Sequence, residues 1–256
     1  MTAPLEEAVA HFHAHGYARL GRVVGDELLA ALCDRADEIM LGKKEIPGLF
    51  FQLDAETGAY RDLVFGRGYE GPSLEYRKIE KLERDDLFRS WIENPLCERV
   101  ARAVIPGPIA IYRAVLMTKG SRGGTVLPWH QDGGLFWGLD RDPILQIWTA
   151  LDDAPVDGGC VEVVPGSHAD GLATPLGGVI PEEHVRRRDA ERAALPLAAE
   201  AGEAILIHNH LWHRSLVNHT GRTRRAFSIC YMSADTKCTR KKRAPRTFVR
   251  VFDSRA

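Results

Sequence analysis

Leu127-Pro128-Trp129-His130-Gln131-Asp132-Gly133 is the stretch on which the reading of this chain turns. In an extended strand, side chains two residues apart leave from the same face, so the His130 imidazole and the Asp132 carboxylate can reach one metal ion. A third ligand has to come from elsewhere. The candidate is His213, in Leu211-Trp212-His213-Arg214-Ser215, shortly after the apolar run Ala204-Ile205-Leu206-Ile207. Two histidines and a carboxylate on one side of a metal leave open positions on the other, the facial arrangement of non-haem Fe(II) sites. Arg224 follows eleven residues after His213. It is a permanent cation suited to a planar carboxylate.

A His-x-Asp triplet alone is weak, and the chain has a second, His168-Ala169-Asp170. That one follows Pro165-Gly166-Ser167, a turn signal, so same-face alternation does not hold there and His168 is expected as a turn or capping residue. His11, His13 and His15 fall at the end of a predicted helix, where a solvated, dipole-favoured role is expected.

The 256 residues allow one large domain or two small ones, and we expect a single domain over 1–256. With 45% apolar and 27% charged residues and a net charge of −1, nothing favours nucleic acid or an acidic membrane as partner. Cys33, Cys97, Cys160, Cys230 and Cys238 are odd in number and lack Cys-x-x-Cys spacing, as expected of reduced thiols in the cytoplasm. The start, Met1-Thr2-Ala3-Pro4-Leu5, lacks the character of a secretory signal, and no stretch reaches the roughly twenty apolar residues of a membrane span.

Along the chain, Leu5, Val9 and Phe12 predict a helix over 4–15 with Gly16 as its C-terminal cap, then an extended piece over 17–24 and a helix over 26–40. Residues 42–73, rich in Gly, Pro and aromatics including Phe51, are expected to form a loop covering a site. Tyr76–Leu82 alternates as a strand, with Tyr76, Lys78 and Glu80 on one face and Arg77, Ile79 and Lys81 on the other. Helices are predicted within 86–105, with Pro95 in a first turn. From 109 the chain turns strand-like: 109–118, 125–131, 144–151, 160–164, 204–208 and 225–232. The pattern is a mainly β fold with flanking helices, helical over about 1–108 and a sandwich or barrel over about 109–235. Pro181–Ala194 predicts one solvated amphipathic helix, and Lys237–Arg243 an exposed basic face.

These residues resemble the phytanoyl-CoA dioxygenase (PhyH) family of Fe(II)/2-oxoglutarate oxygenases. The resemblance rests on Trp129-His130-Gln131-Asp132-Gly133, on Leu151-Asp152-Asp153 through Gly159-Cys160-Val161-Glu162-Val163-Val164-Pro165-Gly166-Ser167-His168, on His213-x-Ser215-x-x-Asn218, and on Arg224. It implies a double-stranded β-helix, a cupin-like jelly roll, with His130, Asp132 and His213 holding iron and Arg224 pairing with the distal carboxylate of 2-oxoglutarate. It also implies that Ser215 and Trp148 assist the cosubstrate, with Gln131 as a further candidate. Dioxygen would take the remaining site, and decarboxylation to succinate and carbon dioxide would drive oxidation of a substrate C–H bond. Halogenases of this superfamily carry a small residue in place of the carboxylate, so Asp132 argues for hydroxylation or a related oxidation such as ring closure. Two departures stand out: His208 and His210 precede His213, and the arginine is doubled as Arg224-Arg225, of which alternation sends only one inward.

Trp137, Phe136 and Phe51 are expected to wall the substrate, and Asn218 to form a turn. Asp140, Asp142, Asp54 and Glu56, placed near the presumed mouth, would suit a cationic or polyhydroxylated small molecule, such as an aminoglycoside-like compound in antibiotic biosynthesis. The alternative is a non-catalytic metal-binding jelly roll acting as a binding module.

Overall fold

The computed structural model describes residues 5–241 and 246–253. Pro4, at the expected start of the first helix, and Lys242 and Arg243 of the basic run lie outside them. The described helices are α1 (Leu5–His15), α2 (Asp26–Met40), α3 (Asp86–Ile92), α4 (Pro95–Val104), α5 (Glu182–Arg187) and α6 (Ala190–Ala193). The strands, in chain order, are β1 (Tyr17–Arg22), β2 (Phe50–Leu53), β3 (Tyr76–Glu80), β4 (Ile109–Lys119), β5 (Leu127–Gln131), β6 (Leu145–Ala150) and β7 (Val161–Val163). They continue with β8 (Gly178–Val179), β9 (Leu195–Leu197), β10 (Glu203–His208), β11 (His213–Ser215), β12 (Arg224–Ser233) and β13 (Val249–Phe252). No described helix is long and apolar enough to cross a membrane.

Two antiparallel sheets form the jelly roll. The larger has the order β1-β10-β6-β12-β4-β3-β2, with β13 beside β4, and the smaller the order β8-β5-β11-β7-β9. The stretch before residue 109 is therefore not only helical, since β1, β2 and β3 extend the larger sheet. Strand β6 is buried at every residue, because α1 to α4 cover one face of that sheet and the smaller sheet covers the other. Leu145 and Ile147 pack with Phe12, Leu32, Phe88 and Trp91 in the helical layer, while Trp148 and Ala150 pack between the sheets with Val161, Val163 and Ile207. Strand β12 divides in the same way: Phe227, Ile229 and Tyr231 face the helices, and Arg224 and Ser228 face the interior between the sheets.

Three expectations are corrected. The 42–73 stretch is not a simple loop, since β2 pairs with β3, and Phe51 is buried against Tyr69 and Tyr76 with ring centroids at 5.5 and 5.0 Å. Along β3 alternation fails: Gln52 pairs with Lys78 and Leu53 with Tyr76, so Arg77 is an extra residue. This bulge sends Tyr76 and Ile79 into the helical core and both Arg77 and Lys78 toward the interior cavity. Pro181–Ala194 is two short helices, because Asp189 takes the left-handed conformation (φ 53°) between α5 and α6. The break buries Ala190 against Trp129, Ile180 and Trp212, which one straight solvated helix would not do.

Gly16 does cap α1, with φ 81°, and a β-carbon there would lie 2.6 Å from His168 Nδ1, so the position needs glycine for space as well as conformation. The 3-10 turn Ser167–Asp170 docks on this helix end, the Gly166 N–H donating to His15 O at 2.8 Å, and the turn role of His168 follows.

Helix α3 depends on one buried cap. Asp85 accepts from the backbone N–H groups of Leu87 and Phe88 at 3.0 and 3.1 Å and from Arg35 at 2.5 Å. Asp85→Ala should lower the unfolding free energy by about 2 kcal/mol, since cap and charged partner are lost together. Urea denaturation should show a reduced midpoint at unchanged slope.

Candidate active site

Pairing of β11 with β5 sets His213 directly opposite His130 in the smaller sheet. Their rings lie 3.9 Å apart between centroids, and Asp132, just past the end of β5, completes a cluster whose ligand atoms all fall within 4.8 Å of one another. Among the described residues it is the one group of three or more such donors. Each imidazole is oriented by its own strand: His130 Nδ1–H donates to Pro128 O at 2.9 Å and His213 Nδ1–H to Leu211 O at 2.8 Å. Both Nε2 atoms are thereby left free for a metal.

Asp132 is held just as firmly. Its N–H donates to Asn209 O at 2.8 Å, while Arg113 and Gln146 each donate to Oδ2 at 2.8 Å, which fixes the carboxylate beside the two imidazoles. Burial opposes ionisation of this carboxyl, but Arg113 and the two imidazoles outweigh it and hold it well below the usual carboxylate range. Burial, reinforced by His213, pushes His130 down to about 3. Neutral imidazoles and an ionised carboxylate are the forms that bind a divalent metal.

The cluster opens on a cavity of about 220 Å³ between the sheets. At one end lies Arg224, 4% exposed, whose Nη2 donates to Gly159 O at 2.7 Å and to Ser215 Oγ at 3.1 Å while its Nε has no partner. Desolvation lowers this guanidinium to about 10. Its neighbour goes the other way, since Arg225 faces the helical layer and pairs with Asp152 and Asp37. Trp148 lines the same cavity, and its indole Nε1 is also buried without a partner. Thr118 Oγ1, on another residue of the lining, is likewise without a partner, and three orphaned groups around one cavity call for a partner from outside the chain. A facial His/Asp/His set with a buried, unneutralised arginine beyond it fits Fe(II) and the dicarboxylate 2-oxoglutarate.

The other predicted residues are placed as follows. Ser215 lies under Arg224, with its hydroxyl donating to Gly159 O at 2.8 Å. The Gln131 amide is spent on the backbone, bonding Gly171 O, His210 O and Ala173 N, so it braces β5 and has no group left for a cosubstrate. Phe136 and Trp137 line the cavity, and Trp137 is stacked on Tyr112 at 4.2 Å and under the Arg113 guanidinium at 4.8 Å. Phe51 does not reach it. His208 packs against Phe12 and His168, and His210 bonds Asp142 at 3.0 Å, which leaves His213 alone with the cluster.

The acidic mouth is absent. Asp140 accepts from the Lys237 N–H at 2.9 Å, Asp142 is shared by His210 and the Gly134 N–H, Asp54 caps Thr125, and Glu56 lines a different surface recess. Arg77, Lys78, Arg113 and Lys119 line the cavity instead. Sequence reasoning missed all four as site residues, together with Gln146 and Tyr60. For Arg113 and Lys119 a signal was available, since charged residues at alternate positions of an otherwise apolar eleven-residue strand mark a buried polar face.

The sequence profile described as phytanoyl-CoA dioxygenase (PhyH) matches residues 12–226. The chain belongs to the phytanoyl-CoA dioxygenase family. Phytanoyl-CoA dioxygenase domain-containing protein 1 of Mus musculus is 27% identical over 158 residues, covering 59% of this chain and 54% of the mouse protein. The chain thus spans about half the length of that relative. Phytanoyl-CoA dioxygenase 1 of Oryza sativa subsp. japonica is 25% identical over 250 residues, covering 88% and 87% of the two chains. Among solved structures, the epimerase SnoN in complex with Fe3+, alpha ketoglutarate and nogalamycin RO superposes with a TM-score of 0.70 at 18% identity, over 98% of this chain and 95% of that one. At that identity the likeness shows the shared jelly roll.

His208 yields a pH prediction. Burial, then His168, His210 and His13, lower it to about 3. A histidine depressed in the folded state contributes stability above its unfolded value near 6.5 and loses it as pH falls toward the folded value. Between pH 6 and pH 4, wild type should lose about 1 kcal/mol per pH unit more than His208→Asn, read from urea denaturation of the metal-free protein.

Proposed function

We propose that this chain is an Fe(II)- and 2-oxoglutarate-dependent dioxygenase that hydroxylates a small molecule, or oxidises it at a C–H bond in a related way such as ring closure. The observation that carries the reading is the buried Arg224, with its unpartnered Nε, in the same cavity as the His130–Asp132–His213 cluster. Oxygen activation coupled to decarboxylation of 2-oxoglutarate is what the bound metal and cosubstrate supply.

The chain's own part is to hold and to enclose. Arg224, braced by Ser215, receives the distal carboxylate, and Trp148 Nε1 is free to donate to the same ligand. Arg113 and Gln146 keep Asp132 ionised and fixed in rotation, so that one oxygen faces the metal whatever else binds. Sheet-to-sheet packing around Trp148, Ile207 and Val161 keeps water from the cosubstrate end.

Substrate enters past Phe136, Trp137, Tyr60 and Val179. Leu135 and Phe136 are 75% and 67% exposed, and Leu176 and Val179 add to the same apolar rim. With Asp140, Asp142 and Asp54 bonded within the chain and Glu56 lining a different recess, the rim suits a neutral or anionic compound with an apolar face, not an aminoglycoside-like cation. A tailoring step in antibiotic or other specialised metabolism fits such a substrate, and the nogalamycin-bound protein of the same fold is in keeping with it.

Succinate formed from 2-oxoglutarate with Fe(II) and oxygen should be stimulated by members of a panel of polyketide-like, amino-acid and acyl substrates, and abolished in His130→Ala. Arg224→Ala should raise the KM for 2-oxoglutarate by about a hundredfold, as expected when a buried charged hydrogen-bond partner is removed. Anaerobic Fe(II) plus 2-oxoglutarate should give a weak visible charge-transfer band. A folded, metal-binding protein with neither band nor turnover, and with ligand affinity indifferent to Arg224→Ala, would establish a binding module instead.

A further inference from the structure

A buried lysine stands beside Arg224, and among the described residues no anion pairs with it. In the β4–β12 ladder Lys119 pairs directly with Arg224, and the two residues are 5% and 4% exposed. The Lys119 Nζ donates to Thr125 O at 2.7 Å and to Ser215 O at 3.3 Å. Both acceptors are uncharged backbone carbonyls. The charged groups around it come from three elements: Arg224 on β12, Arg77 on the β3 bulge, and Asp54 after β2. Asp54 is the sole anion of the three, and its oxygens are taken by the N–H groups of Ala55 and Thr125 and by the Thr125 hydroxyl. Gly159, in the left-handed conformation, makes room for the lysine, since a β-carbon there would lie 2.9 Å from Lys119 Cδ.

A neutral amine has two N–H groups, and Lys119 has two protein acceptors. A third proton would find no acceptor among the described residues, and it would place a second unneutralised cation against Arg224. A carboxylate on Arg224 supplies both the missing acceptor and the missing charge. We propose that Lys119 is the second cation of the cosubstrate subsite and takes up a proton as the dicarboxylate enters, coupling cosubstrate binding to pH. The inference rests on the reading of this cavity as a 2-oxoglutarate site. The proton passes from solvent to the Nζ lone pair, and the new N–H points to the distal carboxylate. Burial, Arg224 and Arg77 together lower the free amine to about 7, so the uptake falls in the neutral range.

The test is calorimetric titration of 2-oxoglutarate into Mn(II)-loaded protein at pH 8 in two buffers of different ionisation enthalpy, with wild type, Lys119→Arg and Lys119→Met. Wild type should take up about 0.9 proton per site, the unprotonated share of an amine of pKa near 7 at that pH. Its Kd should rise about fivefold from pH 7 to pH 8 by the same linkage. Lys119→Arg should bind with no lysine-linked uptake and a flat Kd. Lys119→Met should also take up none, and should bind at least about tenfold more weakly, as expected for loss of a buried charge partner. Uptake by wild type that persists in Lys119→Arg, or absent uptake in a wild type that binds tightly, overturns the proposal. Wild type that binds Mn(II) but no 2-oxoglutarate overturns the oxygenase reading, and this inference with it.

Discussion

The pairing of β11 with β5 is the constraint on which the site depends. His213 comes from far along the chain, and only its register opposite His130 brings the two imidazoles onto one metal position. Strand β11 has three residues, too few to hold a register alone, so neighbouring bonds fix it from both sides. Its outer edge pairs with β7, the Val164 N–H donates to Trp212 O, and the Trp212 N–H donates to Ser167 Oγ. A slip of one residue would turn His213 away and bring Arg214 inward. The Arg214 guanidinium is held by Glu162 and Glu191 and over the face of Trp129, so these ion pairs guard the register of the His130–His213 pair.

Charge placement inside the roll follows from the same geometry. Asp132 has its compensating cation, Arg113, at 2.8 Å, whereas Arg224 and Lys119 have none within the described residues. Burying a guanidinium and an amine without an anion costs stability, and a fold that sets two such groups side by side has done so at a ligand's expected position. The asymmetry is informative. The metal end is neutralised in advance and can accept a divalent ion without displacing a salt bridge, while the far end stays short of negative charge until a carboxylate arrives.

Alternation made part of this legible in the sequence. His130 and Asp132 flank Gln131 on β5, and a period of two along β12 sends Arg224 in and Arg225 out toward Asp152 and Asp37. Alternation also explains the failures, because it is lost wherever the backbone adds a residue or reverses. The bulge at Arg77 and the left-handed Asp189 each broke a periodic pattern for a tertiary reason that no local window contains: a buried Tyr76 in one case and a buried Ala190 in the other. The carboxylates failed differently. A sequence lists charges but not their partners, and Asp140, Asp142 and Asp54 all serve backbone N–H groups of nearby turns, as aspartates between strands commonly do.

That last point bears on what the site selects. Asp142 holds the Gly134 N–H, and the Leu135 and Phe136 N–H groups donate to Pro175 O and Leu176 O, so two rim loops are bonded to each other through their backbones. Gly134 and Gly177 have positive φ where these loops touch, and a β-carbon on Gly177 would lie 2.0 Å from Gly133 O. Polar groups of the rim are thus consumed in holding its shape, and what remains to meet a substrate is the apolar set Leu135, Phe136, Leu176 and Val179 above a floor of Arg77, Lys78 and Trp137. The proposed selectivity rests on apolar area at this entrance and on the cations below it. An acidic residue near a mouth argues for a cationic substrate only when it faces the cavity, and Asp140, Asp142, Asp54 and Glu56 are not among the residues that line it.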